Sequence, residues 1–113
     1  FTDYNKMQID GPIDSIMKTD RLLDRWTSFG WFTQQVDGHD IAALDEAIER
    51  ATAETSRPSM IIGDTIKGKG LPGIEGDYKN HNMPLTAEDA ERAYAHLSEL
   101  EQQLQRETQE ANV

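Results

Sequence analysis

An α/β architecture, a parallel sheet flanked by helices and followed by a long C-terminal helix, is predicted by three observations. Apolar segments of strand character alternate with amphipathic helical ones. Gly, Pro, Asn and Asp mark the joints between them. The last quarter of the chain is charged and keeps a helical period throughout.

Residues 1–3 read as the end of a strand, and Gly11-Pro12 as the turn after it. A short helix is expected over 12–17. A second is expected from an N-cap at Thr19 or Asp20 to a left-handed closing residue at Gly30, with Leu22, Leu23, Trp26 and Phe29 on one core-facing side. Residues 31–36, aromatic and β-branched, predict a strand that ends at Asp37-Gly38. Asp40 is placed to cap a helix over 41–55, whose apolar face is Ile41, Leu44, Ile48 and Ala51. Pro58 precedes 59–66, an apolar run suited to a buried parallel strand.

Residues 67–85 then carry four glycines and two prolines, which exclude a regular helix. A loop of this length in a small domain is expected to be functional or disordered. Thr86 and Asp89 make a capping-box-like start, with Asp in place of the commoner Glu or Gln, for a helix with the stripe Ala90, Tyr94, Leu97, Leu100 and Leu104. Residues 106–113 have little to bury and should fray. The expected organisation is therefore strand and helix alternation over 1–66, a site loop over 67–85, and a terminal helix with a frayed tail over 86–113.

Composition narrows the function. At 113 residues the chain fits one small domain or part of a larger one. The net charge of −10, with few and dispersed basic residues, argues against nucleic acid, which needs clustered Lys and Arg. No apolar run approaches the roughly 20 residues that span a bilayer, and no signal-peptide pattern opens the chain, so a cytoplasmic protein off the membrane is expected. The absence of Cys removes disulfides and thiolate metal sites. The acidic residues of 40–54 and 88–110 read as solvated helix faces.

Chemistry is expected at the C-terminal ends of the strands, where open α/β sheets hold their ligands. Residues 5–11 and 67–81 each follow a predicted strand, and parallel strands put both on one edge. The amide oxygen of Asn5 and the main-chain carbonyl of Met7 are able to supply two oxygens to a hard ion such as Mg²⁺ or Ca²⁺. Taken alone, however, Asn5 is as well read as a turn former, His81 as a loop histidine, and Lys67 and Lys69 as solvated charges. His39 reads as structural, beside the cap Asp40, and His96 as an ordinary helical residue.

The order of several motifs resembles the transketolase family. Asp3-Tyr4-Asn5-Lys6-Met7-Gln8-Ile9-Asp10-Gly11 is similar to its Asp-x-Asn-x-x-x-Ile-Asp-Gly. Phe29-Gly30-Trp31, Val36-Asp37-Gly38-His39-Asp40, Arg57-Pro58-Ser59, Thr65-Ile66-Lys67-Gly68-Lys69-Gly70 and Asn80-His81-Asn82-Met83-Pro84-Leu85 resemble later family segments, in order and at family spacing over residues 1–97. The family's Gly-Asp-Gly, which supplies the acidic metal ligand, is not in this chain. The chain is accordingly expected to be a fragment, a processed product or one piece of a split enzyme.

The resemblance implies a thiamine diphosphate-binding fold, of which residues 1–113 are the C-terminal part. It also implies roles for residues. Asn5 and the Met7 carbonyl would bind Mg²⁺ (or Ca²⁺), Ile9 would pack near the thiazolium ring, Lys67 would reach the diphosphate, and His81 would stand between diphosphate and substrate as a catalytic, cofactor-binding group. Transfer of a two-carbon ketol unit between sugar phosphates is the implied activity. The implied partners are the sugar phosphates, the missing N-terminal half of the domain and a pyrimidine-binding domain or subunit, within a homo- or hetero-oligomer such as a dimer. Alternatives are a deoxyxylulose-phosphate synthase, a 2-oxo acid dehydrogenase subunit, or a non-catalytic interaction module built on a truncated relative.

Three positions depart from the family. Tyr78 stands where many members carry a second His, and Met83 where some carry Lys, which removes a contact to a phosphorylated substrate. Asn82 replaces Gly, which predicts a left-handed backbone there, a conformation Asn tolerates better than most residues.

Overall fold

β5 (Ser59–Asp64) runs through the middle of the sheet, and its sequence explains why: Met60, Ile61 and Ile62 are apolar on both faces and all three are buried. It pairs in parallel with β1 (Thr2–Tyr4) on one side and β4 (Phe32–Asp37) on the other, giving the order β1-β5-β4. The structure, a computed structural model, describes residues 1–111.

Between β1 and β4 lie a two-residue hairpin, β2 (Met7–Gln8) with β3 (Gly11–Pro12), and the short helices α1 (Ile13–Ile16) and α2 (Leu22–Ser28). Gly11-Pro12 is thus half of an antiparallel ladder rather than the expected turn, which falls on Ile9-Asp10. The cap of α2 is also displaced. Arg21, left-handed at φ 56°, occupies the N-cap without a capping bond from its side chain, while Asp20 instead pairs with the Arg25 guanidinium at 3.3 Å.

The apolar stripe of α2 is only partly used. Trp26 packs against Trp31 in a tilted contact with centroids 4.7 Å apart, but Phe29 is 77% exposed and lies outside the core expected for it. α3 (Ile41–Ala53) begins as predicted, with the Asp40 carboxylate accepting from the Ala43 N–H at 3.0 Å. Its inward residue is the fully buried Ala47, not Ile41 or Ile48, both of which are exposed. A small side chain lets the helix approach the sheet closely, where Gln34 Nε2 donates to the Ala47 carbonyl at 2.9 Å.

β5 ends at Asp64, two residues before the expected end, because Thr65 and Ile66 turn into the loop. The loop anchors itself through Ile74, which is buried, and contains one 3-10 turn, Tyr78–His81. Asn82 follows at φ −133°, so the left-handed backbone expected there is absent and Asn replaces Gly without strain. α4 (Ala87–Ala111) is unbroken over its described length, and Tyr94, Leu97, Leu100 and Leu104 are all exposed along it rather than buried. Of the tail expected to fray, residues 106–111 continue the helix, and residues 112–113 lie outside the described residues. No described helix is long and apolar enough to cross a membrane.

Candidate functional site at the strand ends

The three strands of the main sheet stop level with one another. Asp64 is in register with Tyr4 on one side and Asp37 on the other, so Asn5, Thr65 and Gly38 all leave the sheet at the same rim. Two backbone bonds continue the sheet past this line: Thr65 N–H to the Tyr4 carbonyl at 3.3 Å, and Gly38 N–H to the Asp64 carbonyl at 2.8 Å. Gly38 is required by that closeness, since a Cβ there would lie 2.4 Å from Thr65 Cγ2.

Two adjoining clefts open on this rim, of about 570 and 420 Å³. Asn5 and Lys67, expected on one edge from separate parts of the chain, line the smaller cleft together with Asp3, Thr65 and His39. His39, structural by its sequence context, has that role, because its Nε2 accepts the Ile66 N–H at 2.8 Å and so holds the joint between β5 and the loop. It also lines both clefts, a position that its place in a turn before a helix does not signal.

The Asn5 amide is held on both sides. Its Oδ1 accepts the Met7 N–H at 2.9 Å and its Nδ2 donates to Asp3 at 3.3 Å. The Asp3 carboxylate also receives the Thr65 hydroxyl. Asp3, which opens the first motif but does not stand out there as a site residue, therefore adds a negative oxygen group beside the amide. The side-chain oxygens of Asn5 and Asp3 line the cleft together, and oxygen donors of this kind fit a hard divalent ion.

Lys67 and Lys69 bring positive charge to the same cleft. The two differ. Lys69 Nζ bonds Glu75 at 2.9 Å, and that bond, with the Gly70 N–H, holds the Glu75 carboxyl below its ordinary range. Lys67 has no ion-pair partner among the described residues. Gly68, at φ +72°, turns the backbone between them in the left-handed region. A cleft lined both by carboxylate and amide oxygens and by a lysine without an ion pair among the described residues suits a polyanion together with its cation. The protein oxygens are too few to hold an ion alone, and no group of three or more His, Cys, Asp or Glu among the described residues could do so. The ligand's own phosphate oxygens would complete the shell.

The remaining predicted site residues stand elsewhere. Met7 and the exposed Ile9 lie on and beside the β2–β3 hairpin. His81 is exposed at the end of the 3-10 turn, which packs near β3, and it lines neither rim cleft.

Residues 1–104 match the family model described as transketolase, thiamine diphosphate binding domain. The chain is 47% identical over 97 residues to the 6-deoxy-6-sulfo-D-fructose transketolase subunit SqwG of Clostridium sp. (strain MSTE9), covering 86% of this chain and 35% of that protein. It is 32% identical over 105 residues to an apulose-4-phosphate transketolase subunit of Phocaeicola vulgatus, covering 93% and 37%. Among solved structures, a transketolase from Pichia stipitis in complex with xylulose 5-phosphate superposes with a TM-score of 0.73 at 31% identity, covering 80% of this chain and 14% of that one. The chain thus spans little more than a third of the curated subunits it matches.

Proposed function

Given that the chain belongs to the transketolase family, as part of its thiamine diphosphate binding domain, we propose that it forms the diphosphate and metal side of a site that transfers a two-carbon ketol unit between sugar phosphates. The observation that carries this reading is the meeting of Asn5 and Lys67 in one cleft at the level ends of β1 and β5. Bound thiamine diphosphate would supply carbanion stabilisation. This chain's part is to hold and orient.

In that role Asn5 and the Met7 carbonyl give oxygens to Mg²⁺ or Ca²⁺, with Asp3 fixing the amide's direction. Lys67 pairs with the diphosphate, and Ile9 offers an apolar side to the thiazolium ring. His81 would exchange or donate a proton between diphosphate and substrate once the loop after Gly76 folds toward the cleft. The rest of the site comes from partner segments of the same or another subunit in an oligomer, on this reading a cytoplasmic enzyme. Since one relative is named for a sulfonated ketose and the other for apulose 4-phosphate, the donor is a ketose with an anionic tail, and Met83 marks a site that lost one cation for it.

The test is calorimetry on the assembled enzyme, titrating thiamine diphosphate with and without Mg²⁺, followed by ketol-transfer assays with xylulose 5-phosphate and 6-deoxy-6-sulfofructose as donors. Metal-dependent heat that Asn5→Ala abolishes is expected. Absence of any metal-dependent heat, or turnover of pyruvate alone, would overturn the reading in favour of an interaction module or a 2-oxo acid enzyme respectively.

A further inference from the structure

Lys6, between the two proposed cation ligands, has a left-handed backbone at φ 63°. That region is costly for a side chain with a Cβ, and Gly or Asn enters it more readily than Lys. The backbone therefore does not call for Lys here, and the reason must lie in what the side chain reaches.

It reaches the central strand. The Lys6 ammonium pairs with Oδ1 of Asp64, the last residue of β5, and lies 5.7 Å from the centre of the Tyr4 ring. Asp64 is the register partner of Tyr4, so this pair ties the loop after β1 to the neighbouring strand end. The Lys6 carbonyl is held separately, accepting the Ile13 N–H at 2.9 Å. Both ends of Lys6 are thus fixed, and the Asn5-to-Met7 bond closes the turn around it. At 46% and 39% side-chain exposure the pair is a surface ion pair, of a kind that adds little to overall stability. Its effect is local.

We propose that Lys6 and Asp64 are positioning residues for the cation site: their ion pair holds the left-handed turn across which the Asn5 amide oxygen accepts the Met7 N–H, and so fixes the Asn5 amide at the rim. This rests on the function proposed above.

Amide hydrogen exchange on the full chain, free of ligand, tests the brace directly. In Asp64→Asn the Met7 amide should exchange about tenfold faster while Ile61 and Ile62 in β5 are unchanged, as for a local opening. Lys6→Arg should retain the protection. Lys6→Gly, which relieves the backbone cost but removes the pair, should lose it, and it serves as the second variant should Asp64→Asn fail to fold. Unchanged Met7 exchange in both pair-breaking variants, or loss at Met7 only in step with Ile62, would overturn the positioning role.

Electron paramagnetic resonance of Mn²⁺ with thiamine diphosphate, on the assembled enzyme, separates this from the functional reading. Weaker Mn²⁺ binding in Asp64→Asn, with binding retained in Lys6→Arg, supports the brace as a site device, whereas unchanged binding in Asp64→Asn overturns it. Absence of Mn²⁺ binding in the unaltered enzyme would overturn the cation site itself while the exchange result on the brace stands.

Discussion

Lys67 and Lys69 show how two identical side chains, two positions apart, come to differ in function. Lys69 is neutralised by Glu75, whose carboxyl is held below its ordinary range by that same bond, so its charge is already matched at neutral pH. Lys67 faces the cleft without an ion pair among the described residues. Replacing Lys67 with Ala should weaken thiamine diphosphate binding by about 1.5–3 kcal/mol, the range for a hydrogen bond to a charged group, whereas Lys69→Ala should have a much smaller effect. Calorimetry on the two variants checks the contrast, and equal losses would refute it. His39 and Asp3 carry a related lesson: each is visible in a motif, yet its contact to Ile66 or Thr65 joins residues 27 and 62 positions apart.

At the level of the element, α4 has a well-built start and an unfilled side. Thr86 and Asp89 exchange three bonds, with the Thr86 N–H and hydroxyl at 2.9 and 2.6 Å from the Asp89 carboxylate and the Asp89 N–H at 3.1 Å from the hydroxyl. The Thr86 hydroxyl first, then the Thr86 N–H and the Arg92 guanidinium, lower the Asp89 pKa from 3.8 to about 2. A depressed carboxyl contributes its stability above the unfolded value and loses it as pH falls through the folded one. The start of α4 should therefore loosen as pH drops from about 4 to about 2, seen as reduced protection of the Asp89 and Ala90 amides relative to their intrinsic exchange at each pH. In Asp89→Asn the same amides should show a flatter pH response over that window. This cap was legible in the sequence because its residues lie within one helical turn. The unburied stripe of α4 was not, since a helical period reports which side is apolar and not whether anything packs on it.

For the whole molecule, the described residues extend 47 × 47 × 16 Å with a radius of gyration of 17.9 Å, against about 13 Å for a compact domain of 100 residues. A plate that thin buries little: Ala47, Met60, Ile61, Ile62 and Ile74 are its apolar core, while Phe29, Ile41, Tyr94 and Leu104 remain uncovered. Such exposed apolar surface favours association. The chain by itself is expected to bind hydrophobic dyes, to associate as its concentration rises, and to show no ketol transfer from xylulose 5-phosphate. Sedimentation and a coupled assay check this, and turnover by a well-behaved monomer would contradict it.

Local order was determined by the sequence alone. The alternation of elements, the parallel direction of the strands, the cap at Asp40 and the shared edge of residues 5 and 67 all follow from short-range periodicity, turn chemistry and the handedness of crossovers. Only the tertiary structure decided which apolar residues are covered, that Ala47 rather than Ile41 meets the sheet, that Asn82 avoids the left-handed region, and that Lys6 finds Asp64. Burial and ion pairing depend on which distant surfaces meet, and that information lies in the packing of strands far apart along the chain rather than in any window of it.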